Sequence, residues 1–235
     1  MRLTVEMASN LGRFCNKLAT SITLALVFFS PITLANPMDQ YPLHTAAKQN
    51  NVTEVERLLS ASSPIEARDQ TGATPLVAAT KANAINAARV LINAGADVNA
   101  KDNIQDSAYL YAGARGHLEI LKMTLANGAD LKSTNRFGGT ALIPAAERGH
   151  VETVQTLIDA GVAVDHVNRL GWTALIEAVI LGDGGKRHQE IVAILLEAGA
   201  NPNFADRDGV TPLQHAQKLG FKEIEDILLT YKTTK

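Results

Sequence analysis

The chain has 235 residues, of which 46% are hydrophobic, 20% charged and 5% aromatic. That apolar share excludes a disordered chain, and the length leaves room for one or two ordinary domains. With 22 basic and 24 acidic residues the formal net charge is −2, so a polyanion such as nucleic acid is an unfavourable partner.

The first 35 residues read as an export signal, with cleavage expected after Ala35. Arg2, Arg13 and Lys17 supply positive charge. An apolar run follows from Leu18 to Phe29, then the helix breaker Pro31, and Thr33-Leu34-Ala35 has the small-x-small form of a cleavage site. Met7 is an alternative start that would drop Glu6 and leave a more ordinary signal. The rival reading is an uncleaved membrane anchor, but the apolar run of 12 residues is short of the roughly 20 that a spanning helix needs. Cys15 precedes the run, where a lipoprotein cysteine does not sit. Cleavage would remove this only cysteine, together with three basic residues and one acidic one. The remainder would carry 19 basic and 23 acidic residues, a net charge of −4, with no thiol or disulfide chemistry.

From residue 38 onward the chain repeats itself. Tyr41-Pro42-Leu43-His44, Thr74-Pro75-Leu76, Ser107-Ala108-Tyr109, Thr140-Ala141-Leu142, Thr173-Ala174-Leu175 and Thr211-Pro212-Leu213 are equivalent. Their second positions fall at 42, 75, 108, 141, 174 and 212, four intervals of 33 and one of 38. A second marker keeps step: Gly95-Ala96-Asp97, Gly128-Ala129-Asp130, Gly161-Val162-Ala163 and Gly199-Ala200-Asn201. A third is Gly116-His117-Leu118-Glu119 and Gly149-His150-Val151-Glu152. The units run approximately 38–68, 69–101, 102–134, 135–167, 168–205 and 206–235. The first lacks a preceding hairpin and has Ser62 where others have Gly, and the last ends at Lys235, so both read as caps. The five extra residues of the fifth unit fall within Leu181–Arg187, in Gly182-Asp183-Gly184-Gly185, a position expected to be a loop between two helices.

Each unit reads as turn, helix, loop, helix. Thr140 is expected to cap a helix through its hydroxyl. Pro75 and Pro212 suit the first helical position, where a missing N–H costs nothing. Ala46, Ala79, Ala112, Ala145, Ala178 and Ala216 recur where a methyl group lets a neighbouring helix approach. Val151, Val154, Leu157 and Ile158 have helical spacing, and Gly161 ends that helix with a left-handed residue. Pro144, one turn into its helix, is expected to remove one early hydrogen bond.

This pattern resembles the ankyrin repeat family over residues 38–235, with three motifs in register. The resemblance implies an all-α solenoid of six stacked repeats, each a helix-loop-helix with projecting β-hairpin or turn loops, and units that depend on their neighbours. The chain departs from the family's Thr-Pro-Leu-His at Ala108, Ala141 and Ala174, and the third unit, with Tyr109 and Tyr111, diverges most. The resemblance also implies that His117, His150 and His188, in one slot of successive units, bond nearby backbone; a metal ladder would need ligand pairs that no unit supplies. His44 and His215 fall on first helices, buried or capping, and His166 is expected to be solvated.

No enzyme signature emerges. Gly182-Asp183-Gly184-Gly185-Lys186 fails as a phosphate loop, since Ile180 replaces the first Gly and Arg187 follows the Lys. Asp206-Arg207-Asp208-Gly209 lacks the remaining ligands of a calcium loop. There is no Gly-x-Ser-x-Gly elbow. No cofactor or metal is implied.

In the family a partner meets the concave side, formed by turn tips and first helices. The residues at those positions are Asn103, Ile104, Arg115, Arg136, Phe137, Arg148, Arg169, Leu170, Trp172 and Arg207. Exposed apolar residues beside Arg match interface hot spots, and the basic group suggests an acidic partner surface. Trp172 has a competing structural reading, packing on the next turn. The expected function is a non-catalytic protein-binding module of the periplasm or secreted space, monomeric and free of the membrane after cleavage. It would support an exported enzyme or neutralise a toxin. The alternative is a membrane-tethered scaffold.

Overall fold

Twelve helices in six antiparallel pairs make up the described part of the chain. The computed structural model describes residues 40–233, with side chains through residue 231, so the expected signal segment lies outside it. The pairs are α1 (Pro42–Lys48) with α2 (Val52–Ser60), α3 (Pro75–Lys81) with α4 (Ile85–Asn93), α5 (Ala108–Arg115) with α6 (Leu118–Ala126), α7 (Leu142–Glu147) with α8 (Val151–Asp159), α9 (Ala174–Ile180) with α10 (Lys186–Glu197), and α11 (Pro212–Leu219) with α12 (Lys222–Thr233). There is no strand among the described residues, and no helix there is long and apolar enough to cross a membrane.

The helices form two layers. Each first helix packs on the first helix of the next pair, α1 on α3 through α9 on α11, and each second helix does the same from α2 to α12. The core lies between the layers. Ala46, Ala79, Ala112, Ala145, Ala178 and Ala216 are all buried, so first helices pack through methyl groups. The second helices supply the bulk: Val55, Leu91, Ile120, Leu157, Leu195 and Ile224 are fully buried. Each such aliphatic side chain contributes about 1.5–3 kcal/mol through transfer from water.

Helix starts follow local chemistry. Thr74, Ser107, Thr173 and Thr211 each accept a hydrogen bond from the backbone N–H three residues on, and Thr211 with Gln214 forms a reciprocal capping box. Thr140 does not cap, contrary to expectation. In the other units the N–H four residues on donates to the cap residue's carbonyl, as Ala78 does to Thr74 at 2.9 Å. Pro144 has no N–H to give. The Ile143 N–H therefore turns to the Thr140 carbonyl at 3.3 Å, and the buried Thr140 hydroxyl has no partner among the described residues. The lost hydrogen bond expected from Pro144 thus displaces the cap as well.

The insertion of the fifth unit forms a loop over residues 182–185, the position its glycines indicate. Lys186, Arg187 and His188 add a turn to the front of α10, which has 12 residues against 9 in α8. Ser62 takes the left-handed conformation at φ 61°, where Gly95 and Gly161 sit in later units.

Candidate functional site

The turn between each pair and the next is built by one side chain. Asp102 Oδ1 accepts the N–H groups of Ile104 and Asp106, both at 2.9 Å. Asn135 does so for Phe137 and Gly139, and Asn168 for Leu170 and Trp172. Such Asx turns fix the backbone two and four residues on. Successive tips are also joined, the Arg169 N–H donating to the Phe137 carbonyl at 2.9 Å. Ile104, Phe137 and Leu170 therefore stand at equivalent points of three consecutive tips. They are 48%, 52% and 49% exposed, a row of apolar side chains turned to water.

Between these tips and the first helices lies a groove of about 330 Å³. Six residues expected from sequence line it: Ile104, Arg115, Arg136, Phe137, Arg148 and Leu170. The guanidinium groups are held. Arg136 lies over the Phe137 ring at 4.6 Å, Arg115 over Tyr111 at 5.5 Å, and Arg148 donates to the Ala114 carbonyl at 2.7 Å. Arg169 and Arg207 do not line the groove. Each reaches along the tips to a carbonyl of the preceding turn, Arg169 to Arg136 and Arg207 to Arg169. Trp172 is half-buried away from the groove, and Asn103 is exposed at its tip, its N–H donating to the Thr71 carbonyl.

The groove also carries three carboxylates that sequence reasoning passed over: Asp106, Glu147 and Glu177. Their origin is a change in a repeating charge pattern. In the first units a lysine at the end of the first helix pairs with the following turn: Lys48 with Asp69 at 3.8 Å, and Lys81 with the buried Asp102. The next two lysine slots hold Ala114 and Glu147, and the turn residues facing them are the neutral Asn135 and Asn168. The groove lies where these lysine–aspartate links stop.

Glu177 occupies the slot held by His215 in the last unit. There His215 Nε2 meets Asp206 at 2.8 Å, a closed pair. In the fifth unit the partner is Asn168, whose Nδ2 donates to Glu177 Oε1 at 2.7 Å. Oε2 of Glu177 has no donor among the described residues, although the residue is only 6% exposed. Burial pushes the Glu177 carboxyl up to about 7, with Glu147's charge adding to the rise and Asn168 and Arg148 opposing it. Burial also raises Asp106, helped by Asp102. A listing of the sequence at intervals of 33 would have exposed Glu147 and Glu177 as charges at odds with their slots.

The histidines serve the stack. His117 and His188 bond the carbonyls of Thr80 and Glu147, near the ends of preceding first helices, and His44 bonds the Ala73 carbonyl. His188 also meets Asp183 at 2.7 Å, fixing the inserted loop. Two expectations fail. His150 shows no hydrogen bond of its ring among the described residues and instead packs beside Gly116. His166 is not merely solvated, its Nε2 lying 2.7 Å from the Gly138 carbonyl.

Stacked helix pairs with a groove between turn tips and first helices define a repeat solenoid. The chain belongs to the ankyrin repeat family. The model of that family, described as ankyrin repeats in three copies, matches residues 13–102 and 109–206. An ankyrin repeat domain from Acinetobacter baumannii AYE is 66% identical, covering 83% of this chain and 99% of that one with a TM-score of 0.80. The ankyrin repeat protein EF0377 is 42% identical, covering 81% and 98%, with a TM-score of 0.78. The ankyrin repeat domain of Bcl-3, a member of the IkappaB family, is 29% identical, covering 81% and 85%, with a TM-score of 0.72. YahD, an ankyrin repeat protein of Escherichia coli (strain K12), is 49% identical over 53 residues, which span 23% of this chain and 26% of that protein. Ankyrin repeats are in general protein-interaction modules and non-catalytic scaffolds, which sets the class of function.

Proposed function

We propose that this chain is a non-catalytic binding module of the periplasm or secreted space that holds a protein partner in the groove of the third to fifth units. The observation that carries this reading is the row of Ile104, Phe137 and Leu170, about half exposed and fixed by Asx turns over a groove of about 330 Å³. Rigid apolar anchors beside arginines are what interface hot spots consist of. Arg115, Arg136, Arg169 and Arg207 favour acidic residues on the part of the partner that faces the tips. Within this class the module supports an exported enzyme or neutralises a toxin.

The test uses the protein as bait in a periplasmic extract of its source cell, alongside a Phe137→Asp/Leu170→Asp variant whose fold is checked by circular dichroism. A protein retained by the wild type and lost by the variant supports the reading. A protein retained equally by both moves the site off the groove. N-terminal sequencing of the exported protein tests location: a start at Asn36 supports release, and a retained leader favours the tethered scaffold.

A further inference from the structure

We propose that the floor of the groove is a subsite for a basic side chain, arginine or lysine, presented by an extended segment of the partner whose apolar side chains rest against the three tips. The proposal rests on the groove reading above and adds the chemistry of what enters it.

Three observations lead there. The first is the open valence of Glu177. Its Oε1 is held at 2.7 Å by Asn168, its Oε2 has no donor among the described residues, and the residue is only 6% exposed while lining the groove. That oxygen is open to the groove on an otherwise enclosed side chain, so little water can serve it, and a charged donor entering the groove would pair with it. The second is the break in the charge pattern. The slots that carry Lys48, loosely paired with Asp69 at 3.8 Å, and Lys81, hydrogen-bonded to Asp102, carry Ala114 and Glu147 at the groove. The lysine cations are thus missing from these slots, and Glu147 stands close enough for its charge to bear on Glu177. The third is where the arginines have gone. Arg115, Arg136 and Arg148 are held by Tyr111, Phe137 and the Ala114 carbonyl. Only Arg148 reaches a floor carboxylate, at a loose 3.8 Å from Glu147.

The spacing of the tips sets the occupant. Packed helices lie roughly 8–10 Å apart, and a segment extended in the polyproline II form advances about 3.1 Å per residue with three residues per turn. Neighbouring tips are therefore served by residues about three apart, with the basic residue between two apolar ones. A guanidinium can offer parallel N–H donors to Glu177 and Glu147, while an ammonium offers three rotatable ones.

The test selects random twelve-residue peptides from a phage-displayed library on the purified protein at pH 8. The expected output carries Arg or Lys at one position between apolar residues about three apart. Affinity of a synthetic peptide from that output should fall on the order of tenfold to hundredfold for Glu177→Gln, the worth of one charge-assisted hydrogen bond. The same peptide with norleucine at the basic position should bind the wild type as weakly, and Glu177→Gln should weaken it no further. Enriched peptides with no shared basic position, yet lost on Phe137→Asp, would overturn the cation subsite and leave the groove reading standing. Basic peptides that tolerate both Glu177→Gln and Glu147→Gln would overturn it equally, since their cation would sit elsewhere. Failure to enrich any peptide would overturn both readings.

Discussion

Replacing Glu177 by Gln changes one charge and almost no volume, and the structure says which way stability must move. In the fold the Glu177 carboxyl is pushed up to about 7 from an ordinary value of 4.5. Below pH 4.5 it is protonated in both folded and unfolded chains, and its charge costs folding nothing. Between 4.5 and 7 the unfolded chain releases the proton first, so stability falls as pH rises. Above 7 the whole cost is present. A shift of this size is worth on the order of 3 kcal/mol. Gln keeps an oxygen for Asn168 Nδ2, and its amide group can reach water in the groove. Thermal melts of wild type and Glu177→Gln at pH 5 and pH 8 test the reasoning, because titrations common to both cancel in the difference. The variant should melt close to the wild type near pH 5. At pH 8 it should melt several degrees higher, at roughly 2–4 °C per kcal/mol for a domain of this size. Parallel melting temperatures from pH 5 to 8 would show that Glu177 ionises without cost, and the account of a strained groove floor would fall.

Pro144→Ala should be stabilising by about 1 kcal/mol: it restores an N–H for the Thr140 carbonyl and frees that of Ile143 for the Thr140 hydroxyl, against a smaller loss from the freer unfolded chain. A rise in melting temperature, with slowed hydrogen exchange at Ile143, would check it. Gly113→Ala should be destabilising by about 1 kcal/mol although Ala is the better helix former, because its Cβ would lie 2.8 Å from that of Ala141. A melting temperature above wild type would show that α5 and α7 separate more easily than their packing implies.

The repeat was legible because each unit restates its own local chemistry. Hydroxyl caps at Thr74, Ser107, Thr173 and Thr211 act over three residues, and such signals need no knowledge of neighbours. Thr140 defeated the same rule because the deciding atom is one that Pro144 lacks, so two correct local readings combined into a wrong one. The insertion shows a similar limit. Its position followed from counting, but whether Lys186–His188 would be loop or helix turned on Asp183, whose carboxylate holds both the Gly185 N–H and the His188 ring. At the site, the apolar tips were found because position along the turn decides exposure. Arg169 and Arg207 lie at the tips and outside the groove because a long side chain can lie along the tips to a carbonyl of the preceding turn. Glu147 and Glu177 were missed because nothing in either residue is unusual; each is informative only against the residue in the same slot of another unit.

That comparison between units gives the groove its meaning. The last unit shows how this fold closes the slot of Glu177: Asp206 accepts from His215, and neither group is left facing an empty donor position. The fifth unit holds Asn168 and Glu177 instead, and the preceding first helix contributes Glu147 where the first two contribute Lys48 and Lys81. Each change moves the floor away from self-sufficiency, and together they place negative charge where burial opposes it. Stability alone gives no reason to keep such an arrangement, since neutral or paired side chains in these slots would cost less. A bound cation removes the cost and converts it into affinity, because the second oxygen of Glu177 then gains a donor only in the complex. The rim and the floor therefore divide the work. Ile104, Phe137 and Leu170 supply apolar contact that many segments could satisfy, and Glu177 with Glu147 rejects those segments that bring no positive charge between their apolar residues.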